Sequence, residues 1–176
     1  VWRERSLEAG LKYLVVGAVG SAILLYGLAL LYGATGSTNL ADISEALDGS
    51  ALADEPLVLA AVVLIVAGLG FKASAAPFHM WTPDVYEGAP TSITAFMAAA
   101  TKVAALVVTL RILVVAFPEQ EHLWTIAIAV LACVSLAWGN LGALAQSDVK
   151  RLLAYSSISH AGFLLIAIAA GTERGA

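Results

Sequence analysis

Residues 71–102 read FKASAAPFHMWTPDVYEGAPTSITAFMAAATK. Lys72 closes one apolar run. Pro77, His79 and Pro83 follow, then an acidic turn with Asp84 and Glu87, and a second apolar run carries Lys102 near its middle. The flanking sequence has the character of lipid-facing helix. A charge inside such a helix costs from roughly 3 to more than 10 kcal/mol, depending on the reference state. Two lysines kept at that cost point to stations for protons crossing a membrane.

The whole chain supports a membrane setting. Its 176 residues are 60% hydrophobic and only 12% charged, and its mean hydropathy is +0.88. Soluble domains carry about 25% charged residues. The net charge of −4 and the scattered basic residues exclude a nucleic-acid partner, which needs clustered cations against phosphates. The single cysteine, Cys133, lies in an apolar run and reads as a small buried hydrophobe. No disulfide within the chain, no iron–sulfur, zinc or haem spacing, and no dinucleotide or flavin fingerprint is present. The sequence opens without methionine on a charged helix entry, and the expectation is an internal stretch of a longer membrane protein.

A hydrocarbon core about 30 Å thick takes roughly 20 apolar residues as helix. Five spans are predicted: 11–32, 57–85, 91–117, 123–145 and 152–170. This is an all-α, polytopic transmembrane helix bundle forming one membrane domain over 1–176. Gly17, Gly20 and Gly27 on the first span allow close helix contact. Tyr13, Tyr26 and Tyr32 suit membrane interfaces or interhelical hydrogen bonds. The loop 33–55 is acidic and reads as solvated surface, with a short amphipathic helix near 40–47. The second span is predicted to break. Unbroken from 57 to 88 it would be about 48 Å long, and Pro77 removes a donor and disfavours helix at Ala76. Helix is expected to about Ser74, then a short link, then a half-helix near 77–85. Carbonyls freed at such a break need protein, water or an ion, and broken helices often mark a transport site.

Arg3, Arg5 and Lys12 flank the first span, and Lys150 and Arg151 precede the fifth. The positive-inside rule then makes the N-terminus and the 146–151 turn cytoplasmic, with the turn at 84–90 on the same side and Arg174 a weak exception.

Lys102 lies about twelve residues, roughly 18 Å, from either end of its span. Its stem cannot reach water by snorkelling, so it must face other helices or a hydrated cavity. The alternative to a proton role is a permanently paired structural cation. Lys72, near the break, could conduct or could snorkel. His79 could switch protonation or make a structural hydrogen bond across the break. Ser156 and His160 share a helix face, with Tyr155 and Ser159 adjacent. That stripe could hold water for proton hopping or join two helices. His122 reads as solvated, and Arg111 should snorkel outward. Asp84 and Glu87 read first as turn and helix-end residues and second as proton-entry groups. Lys150 and Arg151 read as topology anchors or coupling residues.

Three stretches carry a resemblance: 68–102, GNLGALAQSDVKRLLAYSSISHAGFLL at 139–165, and RSLEAGLKY at 5–13. They resemble the antiporter-like membrane subunits of the bacterial proton-pumping NADH–quinone oxidoreductase, complex I. The segment PFHMWTPDVYEGAPT is closest to the subunit N branch. The resemblance implies a roughly fourteen-helix fold of inverted repeats, of which this chain holds an inner part. It implies that Lys72 and Lys102 are proton-channel lysines. The acid that pairs with Lys72 would lie upstream of Val1. It further implies a bacterial inner-membrane location, other complex I membrane subunits as partners, and NADH, FMN, Fe–S clusters and quinone held by partner subunits, with none in this chain. A cation/proton antiporter subunit without a redox partner is the alternative reading.

Overall fold

The computed structural model describes residues 4–170. Arg3 and Arg174 lie outside the described residues, and the side chain of Arg5 is not described. Among the described residues all regular structure is helical. The helices are α1 (Glu4–Thr35), α2 (Leu40–Leu47), α3 (Pro56–Ala73), α4 (Thr82–Gly88), α5 (Thr91–Phe96), α6 (Lys102–Ala116), α7 (Glu121–Leu144) and α8 (Val149–Ala169). A 3₁₀ turn covers Ala51–Asp54, and a π turn, Met97–Thr101, joins α5 to α6. Five segments are long and apolar enough to cross a membrane: Ser6–Thr35, Pro56–Ala73, Thr91–Ala116, Glu121–Leu144 and Val149–Ala169.

Helix α1 is the ruler of the fold. The α3–α4 segment runs antiparallel to it, and the contacts fall in order along its length. A Cβ on Gly27 would meet Ile65 and one on Gly68 would meet Leu24. One on Gly20 would meet Phe71. Beyond the break, Tyr13 packs its ring on Trp81 at 5.5 Å. Lys12 then bonds Asp84, and Ser6 bonds the Gly88 carbonyl. Phe71 therefore sits opposite the middle of a helix 32 residues long, about 48 Å. The break lies at mid-depth. Lipid supplies no hydrophobic force between helices, so this contact rests on close packing through small residues. Gly20, Gly27 and Gly68 provide it; Gly17 has nothing within 4 Å.

The second antiparallel pair is α7 with α8. Gly139 lies against the backbone of Ser159, and Gly162 against Ala132. Asn140 accepts a hydrogen bond from buried Ser159 at 3.1 Å. Between the two pairs, the core is built from Ile65, Leu69, Leu113, Phe117, Ile128 and Leu165.

Several expectations change. The half-helix begins at Thr82 rather than near Pro77 and runs to Gly88, because Pro77, with residues 74–76, takes up the turn and Pro83 suits a helix start. Lys150 and Arg151 lie in the first turn of α8, not in a turn before it: Asp148 caps the helix by accepting from the Arg151 N–H. The third span is interrupted by its π turn. Cys133 is exposed, not buried, because Ala132 and Ser135 occupy the buried face of α7. The acids Asp42, Glu45, Asp48, Asp54 and Glu55 are exposed, as are His122 and Arg111.

Candidate functional site

Helix α3 stops at Ser74, which takes a left-handed conformation (φ 59°, ψ 33°). The Ser74 N–H bonds the Phe71 carbonyl and the Ala75 N–H bonds the Gly70 carbonyl. This 5→2 and 6→1 pairing closes a helix end on itself. The carbonyls of Gly70 and Phe71, just ahead of Lys72, are thus satisfied locally. One further donor is met from outside the break: the Ala76 N–H bonds the Ser135 hydroxyl of α7 at 2.8 Å. Ser135 is fully buried, and it was not legible in the sequence as part of the break.

Three buried polar atoms in this region have no hydrogen-bond partner: Ser74 Oγ, His79 Nδ1 and Thr82 Oγ1. His79 is 8% exposed and its ring lies 5.8 Å from Trp138 and 6.4 Å from Tyr155. Its Nδ1 makes no bond across the break. Buried groups of this kind are commonly completed by internal water.

Lys102 begins α6, directly after the π turn. The turn widens the backbone, and Thr101 bonds back to the Met97 carbonyl at 2.6 Å. π turns inside α-helices recur at functional sites. The residue that follows points inward: Lys102 is 5% exposed, whereas Val103 and Val107 face outward. Its Nζ donates to the carbonyl of Ser157 at 2.6 Å and to the Ser157 hydroxyl at 2.7 Å. No carboxylate pairs with it among the described residues. An amine held only by neutral oxygens lacks the counter-charge that would fix it as a permanent cation.

Lys72 is exposed. It lines a groove of about 380 Å³ with Gly17, Gly20, Phe71, Thr101 and Ala105, so it opens outward between α1, α3 and α6. The structure brings Lys72 and Thr101, the neighbour of Lys102, to one groove.

His160 and Ser156 share a face, but it is an outward one. His160 is exposed, and its Nδ1 lies 2.9 Å from the Ser156 carbonyl of its own helix. They do not join two helices of this chain; Ser157 and Ser159, turned the other way, do that. Tyr155 packs on His79 instead.

One end of the bundle carries an ion cluster that the sequence dispersed over three segments. Asp84 accepts from Lys12 at 2.6 Å and from Arg151 at 2.7 Å, and Glu87 from Arg151 at 3.1 Å. Lys12 also meets Glu8 at 2.7 Å. Lys150 donates to the carbonyls of Ala89 at 3.1 Å and Glu87 at 3.4 Å. Cations in the first turn of α8 oppose its dipole. The C-terminal carbonyls of α4 and two carboxylates offset this. The acidic turn has no cation of its own, and α1 and α8 supply them. Among the described residues no group of three or more His, Cys, Asp or Glu is placed to hold a metal ion.

Known proteins share this architecture. A profile described as NADH:quinone oxidoreductase/Mrp antiporter, transmembrane, matches residues 1–176. The NADH-quinone oxidoreductase subunit N of Parvibaculum lavamentivorans is 53% identical over 173 residues, covering 97% of this chain and 35% of that relative. In the respiratory complex I of Thermus thermophilus, a chain aligns with TM-score 0.77 at 49% identity, over 94% of this chain and 35% of that one. A chain of the Mrp complex of Dietzia sp. aligns with TM-score 0.82 at 28% identity, over 93% and 29%. The chain spans about a third of the length of the curated relatives it matches. The profile runs its full length and agrees with the five apolar spans, so the chain belongs to the NADH:quinone oxidoreductase/Mrp antiporter transmembrane family.

Proposed function

We propose that the chain is the inner part of a subunit N that moves protons for an NADH–quinone oxidoreductase in a bacterial inner membrane. Other membrane subunits of complex I are its partners. NADH, FMN, Fe–S clusters and quinone are held by partner subunits, and electrons do not pass through this chain. Lys102 is the central proton station and Lys72 a second one on the groove that opens toward the rest of the subunit. His79, the Tyr155 ring packed on it, and the polar atoms of the break form a hydratable region between helices. Ser156 and His160, facing outward, belong to a contact with the remaining spans. Glu87 and Lys150 hold the end of α4 that lies by the N-terminal part of α1, and the basic residues gathered there support a cytoplasmic reading of that end.

One observation carries the reading: Lys102 is buried mid-span and bonded only to the two oxygens of Ser157. With no carboxylate beside it among the described residues, the amine has no counter-charge that would fix it as a permanent cation. The test is Lys102→Ala in the full-length subunit of the assembled complex. NADH-driven proton uptake into vesicles is expected to collapse; pumping at wild-type stoichiometry overturns the role.

A cation/proton antiporter subunit is the second reading, favoured by the higher TM-score to the Mrp chain. The identity runs the other way, 53% against 28%, and side chains carry more of the specificity than backbone superposition does. Purification separates the two: a complex with flavin and Fe–S absorbance supports the first, and a redox-free complex the second.

A further inference from the structure

Lys150, in the first turn of α8, reaches the far end of α4. Its Nζ donates to the Ala89 carbonyl at 3.1 Å and to the Glu87 carbonyl at 3.4 Å. The Gly88 carbonyl between them accepts from Ser6 of α1 at 2.8 Å. The last carbonyls of a helix have no partner within it, and the helix dipole favours a cation there. Three successive carbonyls at the end of α4 are thus taken by the helices on either side. A carbonyl accepts a hydrogen bond but has no proton of its own to pass on, so the bonds of Lys150 hold rather than conduct.

What Lys150 holds is set by its place on α8. Ala154 and Ser157 follow it at spacings of four and three residues, which puts all three on one face of the helix. Ala154 is fully buried. It packs with Val85 and Tyr86 of α4 and with Met97, the first residue of the π turn. Ser157, about 10 Å along the axis from Lys150, receives the Lys102 amine on its carbonyl and its hydroxyl. One stripe of α8 therefore meets the end of α4, then the flank of α4 and the π turn, then Lys102. We infer that Lys150 is a positioning residue for Lys102: by fastening the first turn of α8 to the last carbonyls of α4, it sets the depth at which Ser157 meets the amine. The inference rests on the proton role of Lys102 proposed above.

The other contacts of α8 leave this task open. Gly139 and Gly162 seat α8 on α7, but that pair is one hairpin and shifts as a unit. Among the described residues, polar side chains tie the hairpin to the broken helix at two places. One is Ser135 of α7 on the Ala76 N–H. The other is the first turn of α8, with Lys150 on the carbonyls and Arg151 on Asp84 and Glu87. Arg151 lies about 100° further round the helix, off the face that carries Ser157. The hydrogen bonds that join α8 to α6 among the described residues are those of Lys102 itself, so α6 does not fix the depth of α8 independently of the amine.

The test uses the full-length subunit in the assembled complex, reading protons moved per NADH oxidised. NADH oxidation with an artificial electron acceptor counts the assembled complex, so poor insertion is not read as poor pumping. Lys150→Met keeps the length of the side chain and removes its donors. Lys150→Arg keeps donors and charge but releases no proton at accessible pH. Lys150→Met is expected to lower pumping roughly two- to fivefold, the scale on which a cation at a helix C-terminus contributes, and Lys150→Arg to retain most of it. The double variant Lys150→Met/Ser157→Ala is expected to lose less than the product of the single losses, because both act on one contact. Wild-type pumping by Lys150→Met overturns the positioning role, as do losses that multiply. An arginine variant as poor as the methionine one also overturns it, since Lys150 would then be a proton carrier. Lys102→Ala is run beside them. If it pumps normally, the proton role of Lys102 fails; if it is inactive while Lys150→Met is normal, only the positioning role fails.

Discussion

Gly20 of α1 lies so close to Phe71 that a Cβ on the glycine would come within 2.9 Å of the Phe71 Cβ. Phe71 immediately precedes Lys72, so this contact sets the depth at which α3 ends and the chain turns out of helix. The lysine is placed not by its own neighbours in sequence but by the midpoint of another helix.

The same interface makes Gly68 intolerant of any side chain. A Cβ there would stand 2.6 Å from the Leu24 Cβ and 2.7 Å from its Cα. Gly68→Ala must push α1 and α3 apart, at a cost of about 1–3 kcal/mol for overpacking. Gly33→Ala meets nothing within 4 Å and gains about 1 kcal/mol of helix propensity. The yield of assembled, thermally stable complex should fall for the first and hold or rise for the second.

Lys102→Arg separates a proton station from a fixed cation. Guanidinium keeps its charge at any accessible pH, whereas a buried lysine can release it. Pumping by the arginine variant is expected to be nearly as low as that of the alanine variant. Wild-type pumping by Lys102→Arg would mean that the positive charge alone is what the site requires.

Ser135→Ala should weaken the fold more than an ordinary surface change. It leaves the buried Ala76 N–H without its acceptor, which costs about 1–3 kcal/mol. A lowered unfolding temperature of the purified subunit checks this, and Ser135→Thr, which keeps the oxygen, should lose less.

Asp84→Asn tests the ion cluster. The Asp84 and Arg151 side chains are 32% and 31% exposed, so loss of that pair should cost on the order of 1 kcal/mol or less. Thermal stability is expected to drop slightly at low salt. The gap to wild type should narrow near 1 M salt, where the screening length is about 3 Å.

The all-helical membrane class was plain from composition, and the broken helix from Pro77 and the length of its apolar run. These are local properties: hydropathy fixes solvent, and a missing N–H disrupts helix wherever it stands. Lys102 as a buried group was legible for the same reason, since its distance from either span end exceeds its reach. The π turn before it was not legible, because MAAAT has no residue that forbids an ordinary α-helix. Cys133 was misjudged because an apolar run does not say which face meets protein. Ser157 passed unnoticed between Ser156 and His160, which share a helix face but turn outward.

The chain alone, then, determined that five apolar segments cross a bilayer, that one of them breaks, and that two amines lie where hydrocarbon should be. Only the tertiary structure decided who stands beside each amine and each carboxylate. Ser157 reaches Lys102 across 55 positions of sequence, and Arg151 reaches Asp84 across 67. The physical reason is that hydropathy and backbone chemistry act within a few residues. Partner choice depends instead on how far two helices rotate and how closely they pack, and glycines that admit a larger residue of the facing helix help set both.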